Sequence, residues 1–232
     1  MSTIADLAEN RVVEGTYAVA RKERRRTKTG SDYLALELVD PSGKIEARVW
    51  NDVELLDSRF GEGDAVRVLG RVDKYRDRLQ LDVRSLEAAE GQDPAELTPA
   101  LRRDADELDG FLEFLGGELS HAGLKTLVGR FLADTRFRGR LRELPASPGV
   151  HHDYAGGLLE HTVAVATLCR ETAQVHPRLR GDLLVAAAIL HDAGRTLELG
   201  RGPAFTPTEE GRLLGHVQLG IRLLESQAGG LE

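Results

Sequence analysis

The sequence predicts an α+β protein of two domains, a small β-barrel followed by an all-helical domain. A chain of 232 residues is long for one small domain and short for three. Segments rich in β-branched residues fill residues 1–89, and apolar residues at helical spacing fill the remainder. With 41% hydrophobic and 30% charged residues, the composition excludes a disordered or collagen-like chain. We therefore predict a barrel domain at residues 1–89, a helical connector at 90–145 and a helical domain at 146–232.

Five strand-like segments predict the barrel. They are separated by turn residues, among them the tight turn DPSG at residues 40–43. A longer connection with helical character, at residues 52–64, separates the third segment from the fourth. The five segments lie at residues 12–20, 33–40, 44–50, 64–73 and 78–86.

This pattern resembles an OB-fold nucleic-acid-binding module. The segment KTGSDYLALELVDPSGKIEARVW, at residues 28–50, is similar to the second and third strands of such modules. The connection at residues 52–64 lies where an OB barrel has its helix or long loop. The resemblance places a basic run in the loop between strands one and two.

That basic run, RKERRRTK at residues 21–28, is the strongest local charge in an otherwise acidic chain. The net charge of −7, if spread evenly, would argue against nucleic-acid binding. The run instead holds six basic residues and one acidic residue, and six cations so close together repel one another unless anions are near. We predict that it tracks phosphates as a flexible cationic segment. The residues are Arg21, Lys22, Arg24, Arg25, Arg26 and Lys28.

Three aromatic residues could stack bases on the barrel face. They are Tyr17, Tyr33 and Trp50. Each has a core position as its alternative, and for Trp50 the two interpretations carry equal weight.

The later part of the chain predicts helices. Apolar residues at helical spacing around residues 108–115 and 124–131 indicate the connector, and prolines at 145 and 148 end it. Three further helices are predicted at residues 157–176, 182–193 and 206–226. Asp182 is the predicted N-cap of the second, and residues 206–209 (TPTE) predict a capping box for the third, with Thr206 as N-cap.

One histidine falls in each of these three helices. They are His161, His191 and His216, and His191 is followed by Asp192. A single histidine on an apolar helix face is more often a core residue than a metal ligand. Three on successive helices, with a neighbouring carboxylate, favour a shared divalent cation, because each group would be costly to bury alone.

Three segments around these histidines resemble the HD-domain metal-dependent phosphohydrolases, and in particular the YhaM-type 3′-to-5′ exoribonucleases, which join an OB domain to an HD domain. The resemblance implies His161, His191 and Asp192 as metal ligands and His216 as a ligand or phosphate contact. The segments, in order, are LPASPGVHHDYAGGLLEHT, AAAILHDAGRTLEL and FTPTEEGRLLGHVQLG.

Three further residues belong to the same resemblance. His151 and His152 would lie at the rim of the site, where substrate contact and an ordinary surface loop are equally good interpretations. Arg195 stands where the family usually has lysine, and its guanidinium can still grip a phosphate.

The implied chemistry is hydrolysis of phosphodiester bonds in single-stranded RNA or DNA by a metal-activated water. Asp192, Arg195 and His216 are the expected catalytic residues. The mixed His/Asp donor set suits Mn²⁺ best, with Co²⁺, Fe²⁺ or Mg²⁺ as alternatives. Two other functions remain open: an HD-type nucleotide phosphohydrolase, and a non-catalytic single-strand-binding protein.

The sequence also gives expectations about location and completeness. The longest apolar run has eight residues, well below the roughly twenty that cross a membrane, so we expect a cytoplasmic protein without a membrane partner. Family members continue past the third segment with the last aspartate ligand. We therefore expect this HD domain to be truncated and this polypeptide to be less than fully active.

Overall fold

The computed structural model describes residues 3–200, 202 and 204–231. The chain divides into two compact units, Met1–Pro99 with Gly202–Ala204, and Ala100–Arg201 with Phe205–Glu232. Among the helices within the described residues, none is long and apolar enough to cross a lipid bilayer.

The first unit is a closed five-stranded barrel, as predicted. The strand order is β1-β2-β3-β5-β4, and β1 closes the barrel by pairing with β4. All neighbours are antiparallel except β3 and β5, which are parallel. The short helix α1 (Val53–Asp57) connects β3 to β4. The strands are β1 (Val12–Arg26), β2 (Asp32–Asp40), β3 (Gly43–Val49), β4 (Ala65–Tyr75) and β5 (Arg78–Ala88).

The predicted turn between β2 and β3 is present and is held by Asp40. This buried carboxylate accepts hydrogen bonds from the backbone N–H groups of Ser42 and Gly43, at 2.8 and 3.1 Å. It also accepts one from Ile4, at 2.7 Å, in the short 3₁₀ turn Ile4–Asp6. The side chain that makes the turn therefore also fixes the segment that precedes the barrel.

The second unit is helical, as predicted. Helices α2 to α6 share one apolar core, whose fully buried members include Leu112, Leu141, Leu158 and Ile189. The helices at residues 105–143 thus pack in the same core as those that carry the histidines. The helices are α2 (Ala105–Gly117), α3 (Ala122–Ala133), α4 (Thr135–Glu143), α5 (Gly157–Val175), α6 (Gly181–Leu190), α7 (Arg195–Glu198) and α8 (Glu209–Gln227).

Two predicted caps were wrong. Asp182 lies inside the first turn of α6, and its carboxylate accepts from the backbone of Ser120 and His121, just before α3. Helix α8 is capped by Thr208 instead of Thr206, because the Thr208 hydroxyl accepts from the Gly211 amide at 2.9 Å.

A buried carboxylate ties α2 to α4. Asp109 is 2% exposed, and it accepts hydrogen bonds from Arg138 and Arg142. Burial by itself would raise the pKa of Asp109, but the hydrogen bonds and charges of the two arginines outweigh it and lower the pKa.

Candidate metal centre and nucleic-acid interface

Three of the predicted metal ligands lie together in the helical unit. His161 is in the second turn of α5, His191 caps the C-terminal end of α6, and Asp192 follows directly. The Nε2 atoms of the two histidines are 3.2 Å apart. The Asp192 Oδ2 atom lies 3.4 Å from Nε2 of His191 and 3.8 Å from Nε2 of His161. Their ligand atoms form one cluster within 4.8 Å.

The donor set fits a divalent cation. The Nδ1 atom of His191 lies 2.8 Å from the Ala188 carbonyl, which can only accept, so Nδ1 carries a proton and Nε2 is the nitrogen that faces the cluster and can bind a cation once it is deprotonated. Two ligands bound at about 2.1 Å to one ion lie about 3.0–3.4 Å apart, depending on geometry. The observed spacings are close to this range, and a cation between them would relieve the repulsion of facing lone pairs.

The electrostatics of the site favour neutral His161 and ionised Asp192, the forms in which these two groups bind a cation. Burial, followed by the charge of His191, lowers the pKa of His161. Burial alone would raise the pKa of Asp192, but the hydrogen bond and charge of His191 and the nearby Arg195 and His216 lower it. The hydrogen bond to Asp192 raises the pKa of His191, so a cation would compete with a proton there.

The remaining predicted catalytic residues lie on the other side of Asp192. The Nε2 atom of His216 is 3.6 Å from Asp192 Oδ1, and Nε of Arg195 is 3.9 Å from the same oxygen. Both residues are held by Glu198, which accepts from Arg195 at 2.6 Å and lies 3.4 Å from Nδ1 of His216. Sequence reasoning missed Glu198, although its i+3 spacing from Arg195 placed the two on one helical turn.

Two glycines let His216 approach. A Cβ atom on Gly194 would lie 1.8 Å from the His216 carbonyl oxygen, so the backbones are in direct contact. Gly215 has φ 70° and ψ 163°, which interrupts the helical geometry of α8 just before His216. This break in the helix directly precedes His216, whose Nε2 atom lies near Asp192.

The two rim histidines lie against His161. The ring centroids of His151 and His152 are 4.8 and 5.4 Å from that of His161. Near them, the Tyr154 hydroxyl donates to Glu160 at 2.5 Å, and burial together with this carboxylate raises the pKa of Tyr154 to about 12.

In the barrel unit, the position predicted for the basic run was wrong. Its residues extend β1 as far as Arg26 instead of forming a loop, because β1 continues to pair with β2 up to Asp32. Most of its cations are also paired. Arg24 and Arg26 contact Asp32, Arg21 and Arg25 contact Glu23, and Lys22 contacts Asp57. Lys28 lies in the turn that follows β1.

Of the three aromatic residues predicted to stack bases, Tyr33 and Trp50 line a surface groove and Tyr17 lies in the core. Tyr33 and Trp50 are stacked with centroids 4.7 Å apart, and Trp50 is 46% exposed. Tyr17 is 1% exposed and fills space left by Gly15, so the suggestion that it stacks bases was wrong. The stacked pair lines an open groove of about 700 Å³. Sequence reasoning missed further aromatic and cationic residues of the groove, Arg48, Tyr75, Arg76 and Arg78, and also Glu46, which pairs with Arg48 at 2.7 Å.

Comparisons with known proteins agree with this architecture. A family model described as an OB-fold nucleic acid binding domain matches residues 18–89, and an HD domain model matches residues 158–231. The chain therefore carries these two domains in this order, and the predicted resemblance to YhaM-type exoribonucleases is confirmed.

The similar proteins include curated relatives and a solved structure. One is the 3′-5′ exoribonuclease YhaM of Listeria monocytogenes serotype 4b (strain CLIP80459), 30% identical over 82% of this chain and 61% of the relative. Another is YhaM of Oceanobacillus iheyensis, 28% identical over 94% of this chain and 69% of the relative. The second OB-fold domain of replication protein A from Methanococcus maripaludis is 24% identical, with 39% of this chain and 96% of that chain covered and a TM-score of 0.32. The chain thus spans about 61% of the length of the Listeria relative.

Proposed function

We propose that this chain, which joins an OB-fold domain to an HD domain and is similar to YhaM exoribonucleases, is a metal-dependent 3′-to-5′ exonuclease that prefers single-stranded RNA. The observation that carries the proposal is the cluster of His161, His191 and Asp192, whose donor atoms have the spacing of ligands on one ion.

The helical unit would supply the hydrolytic centre. His161, His191 and Asp192 would hold a divalent cation, which when bound supplies an activated water and polarises the phosphate. Arg195 offsets the negative charge of the phosphate, and Glu198 fixes its guanidinium beside Asp192. His216, oriented by the same Glu198, faces the other oxygen of Asp192 and acts as a further ligand or phosphate contact.

The barrel would bind the single-stranded nucleic acid. Trp50 and Tyr33 present an aromatic surface on which a base can stack, and Arg48 lies 5.8 Å above the Tyr33 ring. Arg76 and Arg78 lie along the same groove, where they can contact phosphates. Because stacking and phosphate contacts tolerate any sequence, the groove suits a protein that binds single strands without base preference.

The preferred ion is Mn²⁺. Imidazole and carboxylate together are donors of mixed hardness, which suits Mn²⁺, Co²⁺ and Fe²⁺ better than the all-oxygen preference of Mg²⁺.

The direct test is incubation of the chain with Mn²⁺ and a 5′-labelled oligoribonucleotide. We expect a ladder of products that shorten from the 3′ end and disappear when EDTA is present. Release of phosphate from mononucleotides alone would point to a nucleotide phosphohydrolase. A mobility shift without shortening would point to a binding protein and would overturn the proposal.

A matched pair of variants assigns any activity to the cluster. His191→Ala with Asp192→Ala should reduce cleavage by at least about 10³-fold, since it removes two of the three donors. His176→Ala should leave cleavage unchanged, because His176 is exposed at the far end of α5, about 22 Å of helix rise from His161. Equal cleavage by both variants would contradict the assignment.

A further inference from the structure

A second group of imidazoles lies beside the first cluster. His151, His152 and His161 each offer a ring nitrogen to a set within 4.8 Å. We propose that these three histidines form a second divalent-cation site, of all-imidazole composition, next to the His161–His191–Asp192 cluster. The proposal concerns ion binding by these residues and does not depend on the exonuclease activity proposed above.

The backbone brings the two rim histidines to this position. Ser147 and His151 exchange backbone hydrogen bonds across a tight turn, at 3.2 and 3.3 Å. The Ala146 amide donates to the His152 carbonyl at 3.2 Å. A Cβ atom on Gly157 would lie 2.0 Å from that same carbonyl oxygen, so only glycine at the start of α5 lets the turn pack this closely. The turn is thereby pinned against the helix that carries His161.

His152 is held in an uncommon conformation. Its φ of 45° lies in the left-handed region, which a histidine adopts only where the surroundings stabilise it. That conformation lets two consecutive residues, His151 and His152, both bring their rings within 5.4 Å of His161, measured between centroids.

The ring nitrogens are available to an ion. Within the described part of the chain, the rings of His151 and His152 hydrogen-bond only to each other, Nδ1 to Nδ1 at 3.4 Å. Two nitrogens bound at about 2.1 Å to a tetrahedral ion lie about 3.4 Å apart. The pair therefore already has the spacing of two ligands, and His161 supplies the third.

The donor chemistry separates this site from the first. Three imidazoles without a carboxylate favour borderline ions such as Zn²⁺ and Co²⁺ over Mg²⁺ and Mn²⁺. A neutral imidazole offers one nitrogen lone pair, so the shared His161 ring would serve two neighbouring ions as an imidazolate, having released its remaining N–H proton to water. We therefore expect the second site to select Co²⁺ or Zn²⁺ more strongly than the mixed His/Asp cluster does.

The test counts Co²⁺ ions on the full chain by equilibrium dialysis, with the visible absorption of bound Co²⁺ as a second readout. We expect two ions per chain. The double variant His151→Ala with His152→Asn should retain one ion, and asparagine is chosen because it tolerates a positive φ. His191→Ala with Asp192→Ala should also retain one, and His176→Ala should retain two.

Three results would overturn the proposal. They are a single ion on the unmodified chain, two ions on the variant that lacks both rim histidines, and loss of the same single ion from both double variants. If the rim variant does not fold, as judged by circular dichroism, His151→Ala alone takes its place, since it leaves the backbone at His152 unchanged. If the unmodified chain binds two Co²⁺ ions but does not cleave RNA, the exonuclease proposal alone is overturned.

Discussion

The barrel and the helical unit each hold a carboxylate between two arginines, in opposite surroundings. Asp32, at the start of β2, contacts Arg24 and Arg26, and its side chain is 25% exposed. Asp109 lies between α2 and α4 with only 3% of its side chain exposed. The Asp32 carboxylate is partly open to water, whereas the Asp109 carboxylate is buried and only its arginines, 28% and 36% exposed, reach the surface. We therefore expect the exposed pairs of Asp32 to contribute little to stability and the buried Asp109 to contribute more.

The same difference separates the two candidate sites. The groove of the barrel is open and is lined mainly by aromatic and cationic side chains, and each one that contacts a strand would add an increment of affinity. The candidate metal centre consists of a few partly buried groups that depend on one another, because Asp192 faces histidines on both sides. Substituting one groove residue of the barrel should therefore reduce RNA affinity by a small step, whereas substituting one residue of the helical site should reduce metal binding and cleavage sharply.

The largest effect on stability should come from Asp109→Asn. The substitution removes the charge that accepts from Arg138 and Arg142 at a buried position, and hydrogen bonds to a charged group are typically worth about 1.5–3 kcal/mol. Arg138 keeps Glu113 and Arg142 keeps Asp106, so we expect a loss near the lower end of this range. Asp32→Asn is the matched control and should leave the unfolding midpoint almost unchanged, because exposed pairs contribute little. Urea denaturation of both variants at pH 7 measures the difference, and equal midpoints would contradict it.

Acid should reproduce this effect in the unmodified chain. The folded pKa of Asp109 is lowered, so its stabilisation is fully present above the unfolded pKa of about 4 and is lost as the pH falls through the folded value. The stability difference between the unmodified chain and Asp109→Asn should therefore shrink below about pH 4. A difference independent of pH would exclude the charge of Asp109 as its cause.

A smaller effect should follow from Glu198→Gln. Glu198 holds both Arg195 and His216, and losing a carboxylate that orients residues around a metal typically costs about 10–100-fold in affinity or activity. Isothermal titration with Mn²⁺ and the cleavage assay measure the two quantities. Glu209→Gln, in the exposed first turn of α8, is the control. Unchanged values for Glu198→Gln would remove Glu198 from the site.

The smallest effect should come from Trp50→Ala. Loss of one stacked base typically weakens single-strand binding by about tenfold, while cleavage at saturating RNA should persist. Phe114→Ala is the control, since Phe114 is an equally exposed aromatic residue in the helical unit, 45% against 46% for Trp50. The two quantities are measured by fluorescence anisotropy of labelled RNA and by the cleavage assay. A reduced maximal rate would mean that Trp50 acts beyond binding.

Much of this arrangement could be predicted from the sequence. The barrel followed from alternation and turn residues, and the proximity of His161, His191 and Asp192 followed from their places on consecutive helices. These features depend on local pattern and order along the chain. The role of the cluster as a metal centre stays a prediction.

Other features depended on packing that no local pattern reveals. The register of β1 and β2 places Asp32 opposite Arg26, where Asp32 contacts both Arg24 and Arg26, and this cross-strand pairing accompanies the continuation of the basic run as a strand. Tyr17 is buried because Gly15 leaves room for its ring. The approach of His152 to His161 depends on a left-handed backbone and on the absent side chain of Gly157.

The contact between Gly194 and His216 leaves no gap between the backbones that carry Asp192 and His216. Because no side chain separates the two backbones, a shift of α8 along its axis would displace the loop after Asp192 by a similar distance. Ligand-induced movement of α8 would therefore alter the distance from His216 to the carboxylate directly, which makes this crossing a mechanical linkage between the helix and the candidate ion.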